Sequence, residues 1–261
     1  MSHLTNDLGA DEDTHDAFEP NSLFADLDPG YYDESSHRWR KPASSPEEYV
    51  YQKVHHDRIL KYFTTRDGYL DLEFHPNGDL WTYLVEKKPP LTTRIEWAVQ
   101  IVEGLAHHSH FIVWADADFR NILVTANIDI VLCDFAYSVS SPDPFHSFTT
   151  QPPPIFRCPW DYYGQPPTHV DIFGFAVILF ALLTNRFPWT HDLLPDLDAQ
   201  LAASAKHDRG EFDTVESAEL NTYFGSISSK CFLATYATGT ELLDDMRHAR
   251  EMWLQGGGGG G

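Results

Sequence analysis

Apolar residues recur along this chain with two different spacings, and the changes of spacing mark out its elements. From Thr92 to His108 the positions Ile95, Ala98, Ile101, Val102, Leu105 and Ala106 fall on one face of a helix. From Ile172 to Leu183 the chain is apolar on every side, which predicts a buried helix; the run is shorter than the roughly 18 residues needed to span a bilayer. Tyr69 to Phe74 alternates as a strand, His55 to Phe63 carries a further strand pattern, and Thr64 to Gly68 between them reads as a turn. Asn121 to Val124 and Ile128 to Leu132 read as two short strands around Thr125-Ala126-Asn127, a hairpin. Ser45 as N-cap, Pro46 in the first helical position and Glu48 closing a capping box start a helix that runs to about Val54. Helical patterns return between 191 and 254, among them Ile227 to Phe232 and Leu242 to Met246.

The two ends lack this periodicity. Residues 1–21 are polar and acidic and read as a disordered tail, and the glycines of 256–261 read as a flexible end. With 261 residues and 42% hydrophobic content, the rest can bury a sizeable core. Net charge is −21, from 39 acidic and 18 basic residues, which disfavours nucleic acid and anionic membrane and favours a basic protein partner. Cys133, Cys158 and Cys231 form neither a disulfide framework nor a zinc pattern, and no charged-then-apolar leader opens the chain, so the expected location is cytoplasmic or nuclear. His107, His108 and His110 invite a metal reading. No carboxylate or Cys stands at ligand spacing beside them, so the preference of His for a helix C-terminus explains them better.

The chemistry concentrates between Phe111 and Tyr137. Asn121 follows Asp116 by five positions, and Asp134 follows Asn121 by thirteen and opens Asp134-Phe135-Ala136. The hairpin between them would hold Asn121 and Asp134 at one end, aimed at a common metal–phosphate site. Here the chain resembles the protein kinase family: the first interval is that of the catalytic loop H-R-D-L-x-x-x-N, and the second group stands in the place of D-F-G. The string from Leu72 to Leu80, LEFHPNGDL, resembles the hinge between kinase lobes. Thr92 to His108 matches the helix before the catalytic loop, and Asp171 opens a match to the central helix whose Asp holds that loop's backbone. Ser138 to Phe156, with Ser147, Thr149 and Thr150, matches an activation segment, and Arg157-Cys158-Pro159-Trp160 stands in the place of A-P-E.

This resemblance implies an α+β, bilobal fold, with a reduced β-rich N-lobe over 22–75 and a mainly helical C-lobe over 76–255. It implies ATP and Mg²⁺ as cofactors and transfer of phosphate to protein Ser or Thr. Asp116 would orient the substrate hydroxyl, while Asn121 and Asp134 would hold the metal. Lys41, or its neighbour Arg40, would pair with Glu47 over the phosphates. Glu73 and His75 would meet adenine through their backbone, and Leu72 and Leu123 would line its pocket.

Several positions depart from the family pattern. The only glycine ahead of Lys41 near the expected phosphate lid is Gly30, in Asp28-Pro29-Gly30, which reads as a turn, so the Gly-rich lid is missing or altered. Trp114 and Ala115 replace the His and Arg before Asp116, removing the usual partner of an activation-loop phosphate; Trp114 is expected to pack beside Phe135 and Tyr51. Asp118 takes the place of a Lys, and an acid about 4 Å from phosphate costs roughly 4 kcal/mol at an effective dielectric near 20. Arg120, two positions on, would partly substitute. Similar fungal kinase-like sequences also carry D-F-A and an Arg before the Asn. The competing reading is a catalytically impaired pseudokinase acting as a protein-binding scaffold. A third takes Asp116-Ala117-Asp118 as the D-x-D metal motif of a nucleotide-sugar transferase or phosphohydrolase, and leaves the Asn121 and Asp134 intervals unexplained.

Overall fold

The computed structural model describes residues 30–108, 112–140, 152–159 and 168–258. The expected acidic tail, Ser147, Thr149, Thr150, Trp160 and the last glycines lie outside the described residues.

Strands β1 (Tyr31–Asp33), β2 (Arg38–Pro42), β3 (Tyr62–Arg66) and β4 (Tyr69–Glu73) form an antiparallel sheet in the order β1-β2-β4-β3. Strand alternation divides β2 between two environments. Trp39 and Lys41 face a cavity, while Arg38 and Arg40 face Asp71, with Arg40 Nε 2.9 Å from its carboxylate. The strand expected from His55 starts only at Tyr62, because 58–60 bond elsewhere: Leu60 N–H donates to the Leu132 carbonyl at 2.9 Å and Leu132 N–H to that of Arg58 at 2.8 Å. Thr64 to Arg66, expected as turn, belong to β3. The turn shrinks to Asp67 and Gly68, both in the left-handed region that a tight hairpin demands.

Helix α1 (Ser45–Lys53) follows β2. Its N-cap is Ser44, one residue before the position expected, and the capping box is not formed: no side chain caps the helix, and the Glu48 carboxylate takes Gln52 Nε2 at 3.0 Å instead.

The larger part is mainly helical. In chain order it holds α2 (Leu80–Lys87), α3 (Leu91–His108), β5 (Ile112–Val113), β6 (Ile122–Val124), β7 (Ile130–Leu132), β8 (Val139–Ser140), α4 (His169–Thr184), α5 (Leu197–His207), α6 (Ala218–Leu220), α7 (Ser226–Phe232) and α8 (Gly239–Gln255). The all-round apolar pattern places α4 at the centre, buried from His169 through Leu183. Helix α3 packs between α4 and α8, and α7 packs on α4. Two glycines set close approaches. A Cβ on Gly104 of α3 would lie 2.7 Å from Leu132 of β7, and one on Gly174 of α4 would lie 2.5 Å from the Ala117 Cβ. The core helices therefore touch the hairpin and the loop that carry the acidic groups. Among the described residues no helix is long and apolar enough to cross a membrane.

Candidate active site

The β6–β7 hairpin pairs Ile122 with Leu132 and Val124 with Ile130. Cys133 N–H extends the ladder to the Asn121 carbonyl at 2.9 Å, so Asn121 and Asp134 stand at the same end. Asn121 Nδ2 donates to the backbone carbonyl of Asp116 at 2.9 Å and to its carboxylate at 2.8 Å. The loop carrying Asp116 is held from below by Asp171 in the first turn of α4. Its two oxygens accept the N–H groups of Trp114 and Ala115, each at 2.8 Å. Ala115 has φ +65°, a left-handed conformation that costs a non-glycine residue about 1 kcal/mol, and the Asp171 bond holds it there. Trp114 packs as expected: its ring lies 6.2 Å from Phe135, which meets Tyr51 edge-on at 5.4 Å. Its indole N–H bridges the Cys133 and Asp134 carbonyls, each at 3.0 Å.

Burial acts on both acids. It pushes the Asp116 carboxyl up to about 6, with the charges of Asp118 and Asp134 adding to the rise and the Asn121 hydrogen bond opposing it. It pushes Asp171 up to about 7 against the pull of two backbone N–H groups.

Lys41 reaches the same place from the sheet. Its Nζ lies 2.7 Å from Asp134 Oδ1 and 3.2 and 3.1 Å from the two oxygens of Glu47, which is fully buried in α1. Burial works against the lysine's charge, but Glu47 and Asp134 more than offset it and hold Lys41 above its ordinary range. Arg40 takes no part. It bonds Asp71, the Tyr31 hydroxyl and the Arg66 carbonyl, so of the two adjacent cations it is Lys41 that pairs with Glu47 and Asp134.

Between these groups lies a cavity of about 510 Å³, within the range of small-molecule sites. Lys41, Glu47, Leu72, Glu73, His75 and Leu123 all line it, as do Arg120, Asn121 and Asp134; Asp116 joins it through its bond to Asn121. At the hinge-like segment Glu73 N–H bonds the Lys61 carbonyl at 2.9 Å, and the His75 carbonyl accepts Gly78 N–H at 3.1 Å. Asp79 caps α2 and bridges to Leu123, tying the segment to the hairpin. Asp118 does not line the cavity. It is buried, accepts Arg120 N–H at 3.0 Å and lies 3.7 Å from the Arg120 guanidinium, so the repulsion expected of it is turned inward and partly neutralised. Trp39 and Cys133 also line the cavity and were not anticipated. Trp39 had a readable signal, since it stands two positions before Lys41 on one strand and shares its face.

A hard cation fits the donor set. The Asn121 amide nitrogen is engaged by Asp116, leaving its oxygen, and Lys41 engages one oxygen of Asp134, leaving the other. Among the described residues no group of three or more His, Cys, Asp or Glu could hold a metal alone. Two oxygen ligands supplemented by water and substrate phosphate suit Mg²⁺.

A family model described as protein kinase domain matches residues 32–232. Serine/threonine-protein kinase GIN4 of Saccharomyces cerevisiae is 28% identical over 208 residues, 76% of this chain and 18% of the relative. Serine/threonine-protein kinase SIK2 of Gallus gallus is 28% identical over 160 residues, 57% of this chain and 20% of the relative. Probable serine/threonine-protein kinase HSL1 of Saccharomyces cerevisiae is 30% identical over 175 residues, 62% of this chain and 11% of the relative. The chain thus spans a fifth or less of the length of these curated relatives.

Proposed function

The chain belongs to the protein kinase domain family, and on that premise we propose that its cavity binds ATP with Mg²⁺ and directs phosphate to a Ser or Thr hydroxyl of a protein. The observation that carries this reading is the convergence of Lys41 on Glu47 and Asp134 beside the bonded pair of Asn121 and Asp116. Phosphoryl transfer asks a protein for positioning and charge neutralisation more than for covalent chemistry. Lys41 supplies a cation at the phosphates, and Asn121 and Asp134 would hold through their oxygens the metal, which when bound would neutralise phosphate charge. Asp116 accepts and orients the incoming hydroxyl proton. A basic protein substrate fits a chain of net charge −21. Three free cysteines suit a reducing compartment, the cytoplasm or nucleus.

The test is a titration of the protein with MgATP, read as thermal stabilisation. A ligand at a hundred times its Kd adds about 2.7 kcal/mol, which is a rise of about 5–10 °C for a chain of this size. Asp134→Ala should abolish most of the rise. Transfer of labelled phosphate to a basic protein should fall by about 10²–10⁴ in Asp116→Asn, the range for loss of a general base. Stabilisation without any transfer would favour the scaffold reading. No stabilisation by any nucleotide would sink the nucleotide site.

A further inference from the structure

Helix α5 carries leucines on the face that meets water. Its core face is set by Ala203 and His207, which are buried, and the His207 ring meets Phe173 of α4 edge-on at 5.4 Å. On the opposite face Leu197 and Leu201, one turn apart, are 58% and 46% exposed, and Leu194, three residues ahead, is 61% exposed. Single exposed leucines are ordinary, but a row at helical spacing on a helix already packed on its other side marks an interaction surface. Trp189 flanks the same helix, its ring 4.3 Å from Lys206 Nζ. It has φ +59°, a conformation that a bulky residue adopts only under constraint. The constraint is an N–H bond to Asp213 Oδ2 at 2.8 Å, an oxygen that Arg186 also grips at 2.7 Å. A strained and anchored backbone therefore holds an indole at the surface, 38% exposed.

Charge says what kind of partner fits. The neighbouring cations are already paired, Arg186 with Asp213 and Glu216, and Lys206 and Arg209 with Glu211. Asp192, Asp196, Asp198 and Asp208 are exposed and pair with no cation among the described residues. Asp192 and Asp196 each accept a backbone N–H, which leaves their charge in place. We propose that this face of α5, with Trp189, docks a basic amphipathic helix of a partner protein. Its apolar stripe would cover Leu194, Leu197 and Leu201, and its Lys or Arg side chains would reach the four aspartates. A second copy of this chain fits badly, because a two-fold contact would set these acids against themselves. The surface is separate from the cavity and does not depend on the nucleotide reading. It lies close to the catalytic loop through packing: α5 rests on the short turn Pro154–Phe156, and the Phe156 ring meets that of Phe119, next to Asp118, at 6.3 Å.

The experiment titrates the full chain with a labelled helical peptide of Leu and Lys, about five turns long, with its leucines at three- and four-residue spacing, read by fluorescence anisotropy at ~0.15 M salt. A second peptide has the same lysines and Ser for every Leu. Leu197→Gln and Leu201→Gln keep helix propensity and should leave the Tm unchanged, while each weakens the Leu/Lys peptide by roughly tenfold. Asp198→Lys should weaken it about fivefold, an effect that fades at about 1 M salt, where the Debye length is near 3 Å. The Ser/Lys peptide should bind at least about tenfold more weakly than the first. Both peptides binding alike, or the two Gln variants binding as wild type does, would place the binding in diffuse acidity and overturn the docking face. Asp198→Lys without effect would overturn the basic partner. Sedimentation showing a wild-type dimer that Leu197→Gln dissociates would overturn it too, in favour of a second copy.

Discussion

On the helical side of the cavity, Asp171 holds the loop before Asp116 by two 2.8 Å bonds to backbone N–H groups, deep under packed side chains. On the sheet side, Lys41 holds Asp134 and Glu47 by ion pairs, with about a fifth of its side chain open to solvent. The first arrangement is built by folding and needs no ligand, because α4 is buried on every side and brings Asp171 with it. The second joins a helix, a strand and a loop through one flexible side chain, so its strength depends on charges that a ligand or a proton can alter. The floor of the site is preorganised, and the roof is adjustable.

The floor should therefore be the more costly to disturb. Asp171→Ala strands two buried backbone donors at about 1–3 kcal/mol each. Part of that returns, because burial already makes the Asp171 charge costly, as its upward shift to about 7 records. A net loss of about 3 kcal/mol, or a Tm drop of about 6–12 °C, is expected in thermal unfolding, with Asp171→Asn keeping one acceptor and losing about half as much.

The roof should respond less. Breaking a fully buried ion pair costs roughly 3–5 kcal/mol, but Lys41 is partly open and Glu47, already raised by burial, can take up a proton. Lys41→Met should lower stability by about 2 kcal/mol, and Lys41→Met/Glu47→Leu should regain most of it, since the buried Glu47 charge goes with its partner and the acid left unpaired, Asp134, is a third exposed to solvent. Urea denaturation of the three proteins measures this. A loss larger than that of Asp171→Ala would reverse the contrast between floor and roof.

The two sides also differ in how far the sequence reveals them. The floor is legible because its parts are local and periodic: the hairpin fixes the interval from Asn121 to Asp134, and the apolar run announces α4 and with it Asp171. The roof is legible only in part. Lys41 and Arg40 are adjacent cations in an irregular segment, and what separates them is a register, with Arg40 opposite Asp71 on the outer face and Lys41 opposite Leu70 on the inner. Register depends on the partner strand, which a pattern in one strand does not contain. The strand pattern at 55–61 misleads for a related reason, since apolar Ile59 and Leu60 are buried by bonding to β7 across the site and not by joining the sheet. Asp118 was legible as an acid in a cation's place, but its inward turn to Arg120 N–H is a matter of the short helical turn at Phe119–Asn121.

Proton uptake probes the floor without mutation. Asp116 has its folded value raised by burial to about 6, faced by Asp118, Asp134 and Lys41. Below that pH it is protonated and cannot accept the hydroxyl proton, so transfer should fall about tenfold for each pH unit below 6, equivalent to about 1.4 kcal/mol. Stability runs the other way. Because the folded carboxyl holds a proton that the unfolded chain has already released, its contribution is present below the ordinary value of 3.8 and is lost as pH rises through about 6. A pH–rate profile flat between 5 and 7 would show that Asp116 is not the base.

The smallest expected effect tests how the floor is preorganised. Gly174 lets α4 approach Ala117, the residue between the two acids of the loop, so closely that a Cβ would sit 2.5 Å from the Ala117 Cβ. Gly174→Ala gains up to about 1 kcal/mol of helix propensity and incurs roughly 1–3 kcal/mol of overpacking, for a net loss of about 1 kcal/mol. α4 is buried all round and cannot retreat, so the loop must move, carrying Asp116 off its bond to Asn121 by a few tenths of an ångström. Rate should then fall more than stability, because misplacing a catalytic group by even 1 Å can cost about a hundredfold. Ala117→Gly in the same chain removes the colliding methyl and should restore rate while leaving the gain in helix propensity. Failure of that rescue would mean that Asp171 alone, and not the close contact of α4 with the loop, sets where Asp116 stands.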